Sequence, residues 1–385
     1  MKKLVILGGG FAGLWAAMSA EHERRKWGAE VSITLVSRDP ALTIRPRLYE
    51  GALDEMQVPL RPLLDRLGVH FELAEIEALD PAAGRVNLGG KRWLDFDRAV
   101  LATGSRMRAL PVPGAAEYAH SIDTFAESRA LDTRLAGLGP RAEIVVVGAG
   151  LTGLELATEL RTRLGEGAGI TLVDAKDNPT GAMSEPLAAL IAEALAVSRI
   201  KTKFGQRIRE IARDGAVLEG GERIPADAVV LTVGLEASPL VRSLGGERDD
   251  LGRVRSDPDL RVATAPNVFA AGDTVHALTD GQHPAQMTCQ HALVLGRYAG
   301  CNAMRDLVGQ PTRPYRQDVY VTCLDLGPWG AVFTRGWDRE VELTGAEGKD
   351  RKQLINRSRI YPPSPDIGAD DILNSIALPD ATSPQ

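Results

Sequence analysis

Short apolar runs alternate with amphipathic stretches along most of this chain, and two of the runs end in the same way. Leu4-Val5-Ile6-Leu7 passes directly into Gly8-Gly9-Gly10-Phe11-Ala12-Gly13, and Ile144-Val145-Val146-Val147 passes into Gly148-Ala149-Gly150-Leu151-Thr152-Gly153. Four consecutive β-branched or leucine residues predict a strand covered on both faces. The stretches that follow, Leu14-Trp15-Ala16-Ala17 and Leu154-Glu155-Leu156-Ala157, predict helices. Each unit then returns to a strand, at residues 31–36 in the first and 169–174 in the second. Further buried strands are expected at Ala99-Val100-Leu101, before the turn Ala102-Thr103-Gly104-Ser105, and at residues 228–232, before Val233-Gly234. Another is expected at Asn267-Val268-Phe269-Ala270-Ala271, before Gly272-Asp273. Strands alternating with helices predict an α/β protein with two doubly wound units.

Pro111-Val112-Pro113-Gly114 reads as a crossing out of the first unit. Residues 239–266, rich in Asp, Gly and Arg, read as the crossing back. The second unit is therefore expected as an insertion in the first, with segments 1–112, 113–240 and 241–310. After residue 310 the pattern changes to alternating strands around the turn Leu326-Gly327-Pro328-Trp329-Gly330, which predicts a small β-rich region over 311–385. The last thirty or so residues, rich in Pro, Asp and Ser, are expected to fray.

The glycine spacing G-x-G-x-x-G has a mechanical basis. The first glycine permits a tight turn, the second lets the backbone approach a pyrophosphate, and the third lets helix pack on strand. The helix N-terminus then offers oriented N–H groups to the phosphates. Two copies directly after buried strands predict two Rossmann-like domains that hold two dinucleotides at once. An acidic residue after the second strand can accept both ribose hydroxyls of an adenosine, and Asp174 occupies that place in the second unit. Asp174 should also repel a 2′-phosphate, which favours NADH over NADPH, although Lys176 lies two residues on. The matching place in the first unit is Ser37, followed by Arg38 and Asp39, so adenosine contacts there are expected to be looser.

Composition narrows the classes. With 385 residues, 44% hydrophobic and 25% charged, the chain is an ordinary globular protein of two or three domains. A net charge of −6 argues against general nucleic-acid binding. No apolar run approaches the roughly 20 residues of a membrane-spanning helix. Met1-Lys2-Lys3 enters the first strand at once, which leaves no room for a signal peptide. Cys289, Cys301 and Cys323 form a sparse, odd set without C-x-x-C. That fits a reducing cytoplasm and excludes both a redox dithiol beside a flavin and a thiolate metal site, so no metal is expected.

Five segments occur in a telling order: Gly8-Gly9-Gly10-Phe11-Ala12-Gly13-Leu14, Arg45-Pro46-Arg47-Leu48-Tyr49-Glu50, Ala102-Thr103-Gly104-Ser105, the second glycine motif with Glu155, and Ala270-Ala271-Gly272-Asp273. Together they resemble the two-dinucleotide-domain flavoprotein reductases, most closely the type II NADH:quinone oxidoreductases, over roughly residues 1–310. Ala285-Gln286-Met287-Thr288-Cys289-Gln290 resembles the quinone-proximal Ala-Gln-x-x-x-Gln helix of that family, with His291 where the family usually continues with a second Gln. The resemblance implies a tightly bound FAD in the first domain and NADH as cosubstrate in the inserted one. The FAD contacts it implies are Gly8, Gly10, Phe11, Ala12, Gly13, Ser37, Arg38, Ala102, Thr103, Gly104, Gly272, Asp273 and Gln286. Gly148, Gly150, Gly153 and Asp174 would hold NADH, and Glu155, Gln286 and Gln290 would serve catalysis. Electrons would pass from NADH through FAD to a small acceptor such as a quinone. A reductase of a small iron–sulfur carrier, or a flavin-bound redox sensor with little turnover, are the alternatives.

Several residues carry two readings at this point. Asp273 can accept from a ribityl hydroxyl or cap a helix. Glu155 can lie near the nicotinamide or simply favour the positive end of its helix. Gln286 and Gln290, four apart, would share a helix face that either binds a quinone carbonyl or meets solvent. His291 can give a proton to a reduced quinone or be structural, and His283 is no better marked. Cys323 lies where sulfide:quinone reductases carry a reactive cysteine, but no second cysteine precedes Cys289, so a buried thiol is favoured. Trp329 and Trp337 can pack on the core, line the quinone pocket or touch lipid. Residues 346–360 carry Lys349, Arg351, Lys352, Arg357 and Arg359 but only Leu354, Ile355 and Ile360 as large apolar side chains. That is too narrow a face for a membrane-surface helix. A cytoplasmic protein, at most peripheral at the inner membrane, is expected, with membrane contact weak or absent and a homodimer left open.

Overall fold

The apolar runs become the central strands of two parallel sheets covered on both faces, which is why they lack the period-two polarity of a half-exposed sheet. The computed structural model describes residues 1–178 and 183–379. The chain begins with β1 (Lys2–Leu7), α1 (Phe11–Lys26), β2 (Val31–Ser37), β3 (His70–Leu73) and β4 (Arg98–Leu101). It continues with β5 (Ala119–Ser121), β6 (Glu143–Val147), α2 (Leu151–Leu164), β7 (Gly169–Asp174), β8 (Lys201–Phe204) and β9 (Ala228–Leu231). Then come β10 (Arg261–Val262), β11 (Ala265–Ala270) and α3 (Cys289–Leu307). The last part holds β12 (Val321–Asp325), β13 (Ala331–Arg335), β14 (Glu340–Leu343), α4 (Gly345–Leu354) and α5 (Ala369–Ile376).

The first sheet has the order β10-β11-β4-β1-β2-β3 and is parallel except for the β10–β11 pair. The second has the order β5-β9-β6-β7-β8 and is parallel throughout. An antiparallel pair, Ser105–Met107 with Leu235–Ala237, joins the chain as it leaves the first sheet to the chain as it returns. Strands of the second sheet thus lie, in sequence, between β4 and β10 of the first.

Two close approaches place the later elements. Gly296 and Gly300 lie one turn apart on α3. A Cβ on Gly296 would sit 2.2 Å from the Ala12 carbonyl oxygen, and one on Gly300 2.0 Å from that of Ala16. The backbones of α1 and α3 therefore touch, and the first ten residues of α1 are all buried. The second approach seats the C-terminal region. β12, β13 and β14 form an antiparallel sheet, and the hairpin between β12 and β13 closes through Leu326 N–H donating to Gly330 O at 2.8 Å. Gly327 lets that turn press on α2, since a Cβ there would meet the Thr158 oxygen at 2.5 Å. Gly348 does the same for α4 on β13, with a would-be Cβ 2.1 Å from the Ala331 oxygen.

The expected fraying of the last thirty residues needs correction as far as residue 379. Ile372, Leu373 and Ile376 form one apolar face of α5 and join the core of the first sheet. Arg25 pairs with Asp370 at 3.0 Å, and Arg297 donates to Ala377 O at 2.5 Å. A short face of three large apolar residues outweighs the polar composition around it. Residues 380–385 lie outside the described residues.

The α1–α3 contact leads to a test. Gly300→Val is expected to destabilise the protein by about 1–3 kcal/mol through overpacking, seen as a lower urea midpoint. Gly139→Ala, where a Cβ has open space and φ is not positive, should shift it by less than about 0.5 kcal/mol.

Candidate functional site

The two glycine turns are near copies of each other. Gly8 has φ +116° and Gly148 φ +108°. A Cβ on Gly8 would lie 2.3 Å from Ala102 O, and one on Gly148 2.4 Å from Thr232 O. On Gly13 and on Gly153 it would lie 1.8 Å from the oxygens of Gly8 and Gly148 respectively. Gly10 and Gly150 instead face open space. Each is the N-cap of its helix, and no side chain caps the first N–H groups of α1 or α2. Two uncapped helix ends behind tight turns can each receive a pyrophosphate. Thr103 Oγ1, beside the first turn, is buried without a partner among the described residues, as a group awaiting a ligand contact would be. The residues present fit a dinucleotide in both places.

The strand ends differ. Asp174 Oδ2 accepts the Ala149 N–H at 2.7 Å and Oδ1 accepts the Lys176 N–H at 2.8 Å, which fixes the carboxylate over the second turn. Ser37 occupies the equivalent place, where a Cβ on Gly9 would lie 2.6 Å from its Oγ. That Oγ accepts the Asp39 N–H at 3.2 Å, and Arg38 points outward to Asp39.

A cavity of about 820 Å³ joins the two units. Gly10, Phe11 and Ala12 line it from the first turn, with Ala102, Gly104, Gly272 and Asp273 beside them. Leu151, Thr152 and Glu155 face it from α2, and Gln290, Tyr320, Cys323 and Lys352 from the C-terminal side. Asp273 does not act as a helix cap. It sits in the turn Gly272–Thr274, and its Oδ2 accepts from Ser105 Oγ at 2.6 Å, with Arg45 at 3.9 Å. Burial pushes its carboxyl up while Arg45 and Ser105 pull it down, with the net shift upward. Arg45 also donates to Ser105 Oγ at 3.1 Å and pairs with Asp123. Asp123 does not stand out in the chain and Arg45 does so only as the start of the 45–50 segment, because the role of each depends on partners distant in sequence.

Glu155 lies on the second turn of α2 rather than the first, so the helix dipole does not explain it. Its Oε1 accepts from Lys352 Nζ at 2.7 Å and from the Asp325 N–H at 3.2 Å. Lys352 is buried, and also donates to Cys323 O at 3.0 Å. Burial pushes the Glu155 carboxyl up against the pull of Lys352. For Lys352 burial pulls down, but Glu155 outweighs it and holds the ammonium above its ordinary range. Behind this pair, Lys349 meets both oxygens of Asp325 at 2.6 and 2.8 Å. Glu159, one turn beyond Glu155, is pushed up to about 7 by burial and then by Asp325. Lys349 and Lys352, two of the five bases in residues 346–360, thus turn inward.

The glutamine pair requires a correction. Thr288 caps α3, its Oγ1 accepting the His291 N–H, so the helix starts at Cys289 and residues 285–288 stay outside it. Gln286 and Gln290 do not share a helix face. Gln286 is exposed, donates to Pro284 O at 3.0 Å and does not line the cavity. Gln290 does line it, but its amide clasps the start of β12, accepting the Val321 N–H at 3.3 Å and donating to Val321 O at 3.5 Å.

Other candidates separate clearly. The His291 ring is buried, with Nδ1 2.9 Å from Thr288 Oγ1 and Nε2 unpartnered among the described residues. Burial pushes it down to about 4, which favours the neutral imidazole at neutral pH. His283 pairs with Asp280 and stacks at 4.6 Å on Trp337, which also stacks with Tyr320 at 4.4 Å. Trp329 turns away to Glu193. Burial pushes the thiols of Cys289 and Cys323 up to about 11 and that of Cys301 up to about 12, and all three are free. Among the described residues no cluster could hold a metal, and no helix is long and apolar enough to cross a membrane.

Comparison with known proteins agrees with this geometry. The profile of the pyridine nucleotide-disulphide oxidoreductase family matches residues 2–294. NADH dehydrogenase-like protein Rv1812c of Mycobacterium tuberculosis is 41% identical over 94% of this chain and 95% of its own length. Demethylphylloquinone reductase NdbB of Synechocystis is 31% identical over 86% of each chain. Among solved structures, the sulfide:quinone oxidoreductase of Aquifex aeolicus superposes with a TM-score of 0.75 at 20% identity, covering 93% of this chain and 90% of that one. At that identity the likeness is one of fold.

Two expectations follow from the charges. Asp174→Asn should raise the KM for NADH about tenfold, the loss of a charge-assisted contact, and narrow the preference over NADPH in steady-state assays. For Glu159, the folded value near 7 exceeds the ordinary 4.5. The stability carried by its proton is full below the unfolded value and is lost as pH rises through the folded one. In urea titrations Glu159→Gln should therefore gain on the unmodified protein above about pH 7 and gain nothing below about pH 4.5.

Proposed function

The chain belongs to the pyridine nucleotide-disulphide oxidoreductase family and uses FAD and NADH, and from that premise we propose that its electron acceptor is a small quinone. The observation that carries the reading is the single cavity walled by the first glycine turn, by α2 behind the second, and by the buried Glu155–Lys352 pair. Overall, NADH, a proton and a quinone would become NAD⁺ and a quinol, so two electrons and two protons end on the acceptor. Bound FAD supplies the two-electron relay between them.

The residues divide the work by position. Gly8, Gly10 and Gly13, with Phe11 and Ala12, would seat the FAD pyrophosphate, and Asp273 would take a ribityl hydroxyl, held in place by Ser105 and Arg45. Gly148, Gly150, Gly153 and Asp174 would hold NADH. Thr103, Ala102, Gly104 and Gly272 would close around the FAD, with Ser37 and Arg38 at its adenosine end. Lys352 sets a fixed cation at the acceptor end, where negative charge develops on a quinone oxygen during reduction. Glu155 holds that cation in place and spans the distance from α2 to α4. Gln290 would act by positioning β12; Gln286 has no place in this scheme.

Sulfur chemistry is poorly supported. The disulphide in the family's name needs a reactive thiol pair, whereas this chain has no cysteine before Cys289 and its thiols stay protonated at neutral pH. A relative whose name states a quinone reductase activity favours the quinone. The inward turn of Lys349 and Lys352 supports a protein at most peripheral to a membrane.

The test uses the FAD-loaded protein without oxygen. NADH should bleach the flavin, and a soluble quinone should restore its colour. Failure to bleach, or recovery with a ferredoxin but not with a quinone, would overturn the reading. Glu155→Gln should cost about 3–5 kcal/mol of stability, because it strands a buried ammonium. Adding Lys352→Met should restore stability in urea titrations while turnover with quinone stays low. Full turnover in the double variant would remove the pair from the mechanism.

A further inference from the structure

The cavity lining changes character from its buried to its exposed residues. Its acidic wall residues, Asp123, Glu155 and Asp273, are buried or half-buried, and each is already paired with Arg45 or Lys352. Val319, Arg335, Arg351 and Arg359 line it from exposed positions, with Ile355 half-buried and Phe333 buried. Arg335 is tied to Glu342. Arg351 lies over the Phe333 ring at 5.2 Å and meets no carboxylate, and Arg359 is likewise without a partner among the described residues. The mouth is therefore apolar in its walls and cationic at its rim, with no carboxylate paired to Arg351 or Arg359 among the described residues.

The register explains the arrangement. Cys323 faces Phe333 and Val321 faces Arg335 across β12 and β13, so these four side chains share one face of the sheet. α4 lies along that face and presents Lys352 inward and Arg351 outward. Lys352 and Arg351 both line the cavity, so one ligand in it can meet the ammonium and the guanidinium.

We propose that the acceptor is an aromatic quinone bearing an ionised acidic group, a carboxylate or sulfonate. One ring carbonyl reaches Lys352, the anion rests between Arg351 and Arg359, and the ring lies against Phe333. A neutral quinone would leave the rim charges unmatched. This rests on the quinone reading above and adds the charge of the substrate to it. The redox balance is unchanged: the ring takes up two electrons and two protons, and the acidic group does not react.

The test compares naphthoquinone sulfonate with menadione as acceptors for the FAD-loaded protein and for Arg351→Gln, Arg359→Gln and Arg351→Lys. The readout is the ratio of kcat/KM for the anionic quinone to that for the neutral one. Taken within one protein, it cancels partial misfolding. Each Arg→Gln change should lower the ratio about tenfold, the loss of one charge-assisted contact, while Arg351→Lys keeps most of it. Added salt should lower the ratio in the unmodified protein. If both quinones reoxidise the NADH-reduced protein and the ratio does not move, this proposal falls and the quinone reading stands. If neither does, both fall together. Sedimentation with phosphatidylglycerol vesicles separates the other source of an anion: should the substitutions abolish vesicle binding and leave the ratio alone, the rim serves a lipid surface and the proposal is overturned.

Discussion

Backbone-to-backbone contact between α1 and α3 fixes the geometry on which the first half of the site depends. With Gly296 against Ala12 and Gly300 against Ala16, α3 has no freedom to slide along α1 without driving carbonyl oxygens into Cα atoms. The N-terminal end of α3 is thereby held beside the N-terminal end of α1. Gly272 lies at the same junction, where a Cβ would be 2.8 Å from that of Ala12. The turn carrying Asp273 and the helix carrying Gln290 consequently reach the cavity from a direction set by main-chain sterics. Polar contacts such as Ser105 to Asp273 refine that position; they do not create it.

On the opposite wall the determining contact is ionic. A buried pair such as Glu155 and Lys352 contributes little net stability, since desolvation of two charges offsets most of their attraction. Its consequence is specificity of placement. Gly327 and Gly348 let the hairpin and α4 come close to α2 and β13, and the pair determines which face of α4 turns inward. Lys349 and Asp325 continue the pattern outward, and burial, then Asp325, raises Glu159 against the opposing pull of Lys349. The C-terminal region is thus part of the cavity and not an appendage to the two dinucleotide units.

What the chain reveals by inspection follows the range of each interaction. The buried strands, the two glycine turns and the contrast between Asp174 and Ser37 depend on residues close in sequence, and the apolar runs and spacing expose them. Glu155 and Lys352 are 197 positions apart, and Arg45 and Asp123 are 78 apart. Nothing local marks either pair, because the burial that makes a charge seek a partner is a tertiary property. The glutamines show the opposite failure. Four-residue spacing implies a common face only inside a helix, and Thr288, a good N-cap, starts the helix after Gln286. α5 escaped because three apolar residues within a polar, Pro-rich tail weigh little in composition and much once α1 offers them a surface.

The near identity of the two glycine turns implies that they cannot, by themselves, distinguish a resident dinucleotide from one that comes and goes. Both offer an uncapped helix end, and equal phosphate contacts give nearly equal binding. The distinction must lie in what surrounds each turn. Around the first, Leu60 closes on Gly9, with a would-be Cβ 2.7 Å from its Cδ1, and the Gly272 turn closes on Ala12. Around the second, Asp174, the counterpart of Ser37, accepts two backbone N–H groups and would offer its remaining lone pairs to a ribose. Apolar closure slows escape, whereas a charged and hydrated acceptor supports recognition with rapid exchange. An uncharged Ser37 in the first unit would then be no deficiency, since a dinucleotide held by enclosure would not need a bidentate ribose acceptor to stay.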